Sequence, residues 1–179
     1  WRGQSDVMQS LAVYHDVVAE VCAELAARRD AALAAGIAAD NLVLDPGLGF
    51  AKTADQNWTL LAQLDAVSAL GHPVLVGASR KRFLGELLNA RPPKERDDAG
   101  AALTALLARQ RVWAVRTHTV RQHRDAIAVV ERLRREAPQG RRSVSALGPS
   151  FEGERCLAEG ELDVVIGNWL TPPEDLHMG

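Results

Sequence analysis

Three times along this chain a short apolar run ends on polar groups and passes at once into a helical pattern. The first run is Leu42-Val43-Leu44, ending on Asp45. The second is Pro73-Val74-Leu75-Val76-Gly77, ending on Ala78-Ser79-Arg80-Lys81. The third is Val112-Trp113-Ala114-Val115, ending on Arg116-Thr117-His118. Unbroken apolar runs, rather than alternating ones, mark parallel strands covered on both faces. The connections are short, so the pattern predicts strand–helix alternation with a parallel sheet. An open doubly wound sheet and a (β/α)8 barrel both satisfy it. The chain carries neither GxGxxG nor GxxxxGK[ST], the phosphate loops of open sheets, which favours the barrel. In a barrel the C-terminal strand ends share one face and carry the functional groups. Three strands cannot close a ring of about eight, so the expectation is α/β, part of a (β/α)8 TIM barrel.

Helical spacing fills the intervals. One helix is expected from about Gln9 to Ala35, with Val13, Val17, Val21, Leu25 and Leu33 on its apolar spacing and Gly36 ending it. A second is expected from about Thr53 to Ala69, carrying Trp58, Leu60, Leu61, Leu64 and Val67. Phe83 to Leu88 reads as a short helix, Asn89 to Asp98 as a surface loop, and Asp98 to Ala108 as an Ala-rich helix. The last runs from Val120 to Arg135, with Ile127, Val129, Val130 and Leu133 as its apolar face.

Composition excludes several classes. A net charge of −2 gives no basic footprint for nucleic acid. No run of about 18 apolar residues offers a membrane span, and no basic-then-apolar leader is present. Cys22 and Cys156 lie far apart without a CxxC or His spacing, as expected of structural thiols in a reducing cytoplasm. A chain opening on Trp1-Arg2-Gly3-Gln4 reads as the interior of a longer protein. The character changes after Pro138, so residues 1–137 are read as one half-barrel unit and 138–179 as an extension.

The strand-end groups offer a coherent chemistry. The carboxylate of Asp45 can accept two hydrogen bonds from the amidine-like N–H edge of a heterocycle. Gly47 and Gly49 let the backbone approach a ligand closely. Lys81 can donate to a ring carbonyl or nitrogen. Arg116 can pair with phosphate or lay its plane on an aromatic ring, and His118 adds a second phosphate donor. Such a clamp suits a departing pyrophosphate. The implied ligand is a flat, polar heterocycle bearing phosphate.

The runs Leu44-Asp45-Pro46-Gly47-Leu48-Gly49-Phe50-Ala51-Lys52, Val76-Gly77-Ala78-Ser79-Arg80-Lys81 and Val115-Arg116-Thr117-His118 resemble dihydropteroate synthase, the pterin-binding barrel enzymes of folate biosynthesis. The resemblance covers about Trp1 to Glu136 and corresponds to the C-terminal half of that family's domain. It implies a transferase that joins 6-hydroxymethyl-7,8-dihydropterin pyrophosphate to p-aminobenzoate and releases pyrophosphate. Asp45 and Lys81 would hold the pterin. Arg116 would stack on it and, with His118, bind phosphate, while Phe50 would wall the p-aminobenzoate site. Lys81, Arg116 and His118 are the expected catalytic residues. The substrate contacts are expected from Asp45, Gly47, Gly49, Phe50, Gly77, Ser79, Arg80, Lys81, Arg82, Arg116, Thr117 and His118. Arg82 stands where some members carry Ser near the p-aminobenzoate carboxylate, and Thr119 where the family has Asp or Asn. Sulfonamides compete with p-aminobenzoate in this family, and its members are commonly homodimers.

The family also uses Mg2+, whose protein ligand belongs to its first half. That half supplies four strands, further pterin-binding Asp and Asn residues and two mobile loops. The expectation is therefore little or no synthase activity from this chain alone. Within the extension, Leu157 to Gly167 resembles a segment of the effector domain of LysR-type regulators. This leaves a second functional class, a non-catalytic remnant or fusion fragment with a regulator-like ligand-binding tail.

Overall fold

The structure is a computed structural model and describes residues 2 and 6–136. The readings of Trp1, Cys156 and the extension 138–179 fall outside the described residues, and Cys22 is a free, half-buried thiol.

Helix α1 spans Val17–Ala34, not the longer stretch expected from Gln9. Its start is set by Asp16, whose side chain accepts from the amides of Val18 and Ala19. The Glu20 carboxylate reaches back to the amides of His15 and Asp16. Upstream, Met8–Leu11 forms a single 3-10 turn, and Val13 is 71% exposed rather than part of an apolar face. Val17, Val18 and Val21 are the residues of α1 that enter the core.

The first strand is minimal. Leu44 alone bridges to Val74, in parallel, through Leu44 N–H to the Pro73 carbonyl at 2.8 Å and Leu75 N–H to the Leu44 carbonyl at 2.9 Å. Strands β1 (Leu75–Val76) and β2 (Ala114–Val115) pair in parallel, Leu75 with Ala114 and Val76 with Val115. The three runs thus lie side by side in chain order, and Asp45, Gly77 and Arg116 leave the sheet at the same end.

Helix α2 (Ala54–Ala62) begins with a capping box in which Thr53 and Gln56 satisfy each other's backbone amides. It stops at Gln63 (φ −122°, ψ 36°) and α3 (Leu64–Ser68) continues, so the single helix expected over this stretch is two. Nothing in the sequence marks that break. Helix α4 covers Arg82–Leu87. The expected loop before α5 (Asp97–Arg109) contains a 3-10 turn, Pro93–Arg96.

Helix α6 spans Val120–Glu136 and packs on α5. Its inward stripe is His123, Ile127 and Val130, at helical spacing. Val129 and Leu133 were expected on that stripe but are 60% and 66% exposed, because the helix is turned to bury His123 against Thr104. The core joins Val21, Leu48, Leu60, Leu64, Val76, Leu84, Leu107, Val115 and Ile127 into one cluster beneath the strand ends.

Candidate active site at the strand ends

The loop after Leu44 is held by its own polar groups. Asp45 Oδ1 accepts from the Gly47 amide at 2.8 Å, closing an Asx turn. Asn57, buried at the start of α2, accepts from the Gly49 amide at 2.7 Å and donates to the Thr53 carbonyl at 2.6 Å. Gly49 sits at φ +76°, a conformation side chains resist, and a Cβ there would lie 2.9 Å from Lys81 Cδ. Below the loop, Lys52 is 5% exposed and its Nζ donates to the carbonyls of Gly47 (3.2 Å) and Phe50 (3.3 Å). Burial brings its pKa down to about 8, against the pull of Glu24 and Asp45.

The second strand end meets this loop through Lys81. Its Nζ lies 3.8 Å above the centre of the Phe50 ring. Burial first, and then repulsion from Arg116, hold its pKa at about 8, while Asp45 opposes the fall. Below both values the lysines are cations, so this strand-end loop carries positive charge at neutral pH.

The third strand end lies across the second. A Cβ on Gly77 would be 3.2 Å from both Nε and Nη2 of Arg116, so the bare glycine lets the guanidinium lie a few tenths of an ångström closer than an alanine would. The His118 amide donates to Ser79 Oγ at 3.2 Å, and its Nδ1 lies 3.0 Å from the same hydroxyl. Burial, then the nearby Arg80 cation, lower the His118 pKa, with Asp97 opposing. Above the ordinary histidine value His118 is therefore neutral. Thr117 is buried and its Oγ1 accepts from the Thr119 amide.

Two of the residues expected at the ligand are engaged elsewhere. Arg80 makes a two-pronged pair with Asp97, both contacts at 2.8 Å. Arg82 is 76% exposed and pairs with Glu86 at 3.0 Å along α4. The residues drawn together are Asp45, Gly47, Gly49, Phe50, Gly77, Ser79, Lys81, Arg116 and His118. Sequence reasoning passed over Asn57 and Asp97. Asn57 carried no signal beyond standing four residues after Thr53, the position from which a helix side chain can reach a loop. Beside Asp45, a cavity of about 390 Å³ opens between the loop and α1, lined by Arg2, Glu24, Arg28, Asp45 and Lys52 among others. Among the described residues no three His, Cys, Asp or Glu side chains gather into a metal cage.

The sequence agrees with this geometry. Residues 1–118 match the pterin binding enzyme family. The chain belongs to that family. It is 51% identical over 131 residues to the dihydropteroate synthase of Mycobacterium leprae, a match covering 70% of this chain and 46% of that relative. Two solved structures are similar. The Xanthomonas albilineans dihydropteroate synthase in complex with 7,8-dihydropteroate is 40% identical with a TM-score of 0.68, covering 70% of this chain and 49% of that one. The Thermus thermophilus enzyme in complex with 6HMPPP is 45% identical with a TM-score of 0.69, covering 73% and 51%. The chain thus spans about half the length of the relatives it matches. As a pterin-binding family member of this coverage, it presents part of a (β/α)8 barrel, three parallel strands with their helices.

Proposed function

We propose that this chain forms the pterin-holding wall of a dihydropteroate synthase. The reaction condenses 6-hydroxymethyl-7,8-dihydropterin pyrophosphate with p-aminobenzoate. The observation that carries the reading is the contact of Lys81 Nζ with Phe50, 3.8 Å from the ring centre. It joins the Asp45 loop to the second strand end, while Arg116 lies against Gly77 from the third. Asp45 accepts from the N–H edge of the pterin, and Lys81 donates to its ring. The C–O bond to pyrophosphate breaks as Arg116 and His118 take up its charge. The p-aminobenzoate nitrogen bonds to the freed methylene carbon and gives up a proton. These side chains position and stabilise charge and form no covalent bond. The magnesium expected of the family is assigned to a ligand in the family's other half, so no step is routed through that ion here.

Supporting features extend to assembly. Leu106, Val129 and Leu133 stand exposed on two helices packed together, which favours a homodimer. Among the described residues no helix is long and apolar enough to cross a membrane. Sulfonamide competition is proposed at the Phe50 side of the same wall.

Calorimetric titration of the full chain with the pterin pyrophosphate tests the reading. Removing a hydrogen bond to a charged group costs about 1.5–3 kcal/mol, or roughly 10–100-fold in affinity. Lys81→Ala, Arg116→Ala and Asp45→Asn are each expected to weaken binding by that amount. Absence of binding by the intact chain sinks the reading and favours the non-catalytic class. Adding the remaining portion of the family's domain and following dihydropteroate formation tests the chemistry itself.

A further inference from the structure

Glycine inside a short helix is a poor choice unless something needs the space. Gly85 lies inside α4 and is not among the residues at positive φ, so its own backbone conformation does not call for glycine. What occupies the space is the guanidinium of Arg96. A Cβ built on Gly85 would lie 2.5 Å from Arg96 Cζ and 2.6 Å from both Nε and Nη2. From that slot, Arg96 Nη1 donates to the carbonyls of Arg80 (2.9 Å) and Lys81 (3.2 Å), and Nε donates to the Arg91 carbonyl at 2.7 Å. The turn it grips is not a relaxed one. Arg80 is held at φ +59°, in the left-handed region, and its side chain is fixed by the fork to Asp97. Strained backbone of this kind persists only where its surroundings over-determine it. Arg96 and Asp97 are adjacent, so one short segment holds both the backbone and the side chain of the turn that carries Lys81.

We infer that Arg96, seated on Gly85, is a positioning residue that fixes the Lys81 backbone so that its ammonium meets Phe50. This rests on the proposed role of Lys81 but concerns geometry that exists before any ligand binds. Lysine at position 96 could not reproduce it, because three carbonyls at these directions need a planar fork rather than a point charge. The slot explains why α4 keeps a glycine that weakens it. It also assigns a purpose to the 3-10 turn Pro93–Arg96, which delivers Arg96 across the end of α4.

The test reads Lys81 directly and needs no activity. Pulsed acetylation of the full chain across pH, followed by mass spectrometry, gives the titration midpoint of Lys81, with Lys52 as the internal control. In the native protein both midpoints are expected near the values of about 8. In Arg96→Ala, Arg96→Lys and Gly85→Ala the released Lys81 is expected to move toward the ordinary lysine value of about 10.4, while Lys52 stays in place. Contacting residues couple and independent ones add. Gly85→Ala should therefore shift Lys81 in the native background and do nothing further once Arg96→Ala is present. An unchanged Lys81 midpoint in Arg96→Lys, the variant that keeps charge and stem, overturns the inference. So does a Gly85→Ala shift that is equally large with and without Arg96. Pterin binding by the same proteins separates the two ideas. A shifted Lys81 with no pterin binding in any protein, native included, removes the proposed function and leaves the positioning role standing.

Discussion

Replacing Lys52 with Met isolates the cost of a cation held under the Asp45 loop. Lys52 is 5% exposed, and its pKa falls from 10.5 to about 8. At about 1.36 kcal/mol per pH unit, that fall corresponds to roughly 3 kcal/mol of destabilisation while the lysine is charged. Lys52→Met removes this cost, but it also removes the donor to two carbonyls. Gly47 O keeps the Phe50 amide at 3.1 Å, whereas Phe50 O loses its only donor among the described residues. An acceptor left unsatisfied costs up to about 1–3 kcal/mol, and Phe50 is half-buried. The two terms nearly cancel near neutral pH, so absolute stability there is a poor readout. The pH dependence is sharp. Below about 8 both folded and unfolded chains carry the proton, and the penalty is constant. Between about 8 and the unfolded value the folded lysine sheds its proton first, so native stability rises with pH by up to about 1.36 kcal/mol per unit. Lys81, Cys22 and Tyr14 also titrate on this limb, and the difference between native and Lys52→Met removes them. Urea denaturation of both proteins from pH 7 to 9.5 is the assay. The native chain should gain on the variant by about 1–2 kcal/mol across that range. Parallel stability curves would refute the placement of Lys52 as a buried cation.

Two further predictions concern packing. His123 is 2% exposed, bonded to Thr104 at 2.7 Å, and its Nε2 has no partner among the described residues. Burial lowers its pKa, so the unfolded histidine takes a proton first as pH falls below about 6.5, and stability drops. His118 shifts in the same direction, so His123→Leu should flatten only part of the decline between about pH 6.5 and 5 in denaturation curves. A decline left unchanged in that variant removes His123 as its source. Asn57→Ala strips the Gly49 amide of its acceptor and should cost about 1–3 kcal/mol in denaturant titration; a loss below about 0.5 kcal/mol, as for surface sites, counts against the loop being tied this way.

The site was legible in the sequence where local pattern carries meaning. Apolar runs marked where the three strand ends lie, although the first run supplies only the bridging residue Leu44 and leaves Val43 41% exposed. Polar groups after each run marked one shared strand-end face, because consecutive parallel strands must point the same way. The pieces read less well were those whose burial depends on distant partners. Val129 and Leu133 fit a helical stripe as well as His123 does, and only packing against α5 chose the stripe containing His123.

From its residues alone, the chain established the strand–helix order, the shared strand-end face and the motifs around Asp45, Lys81 and Arg116. The tertiary structure decided which cations are available. Arg80, Lys81 and Arg82 are neighbours of like charge, and only Arg82 has an opposite charge at local helical spacing, Glu86 four residues on. Folding brings Asp97, 17 residues away, onto Arg80 and lets Glu86 take Arg82. Lys81 is left against Phe50, with its pKa lowered by burial and by Arg116. Solvent access and the nearest opposite charge determine what an ionised side chain can do, and both are properties of the assembled chain rather than of its order.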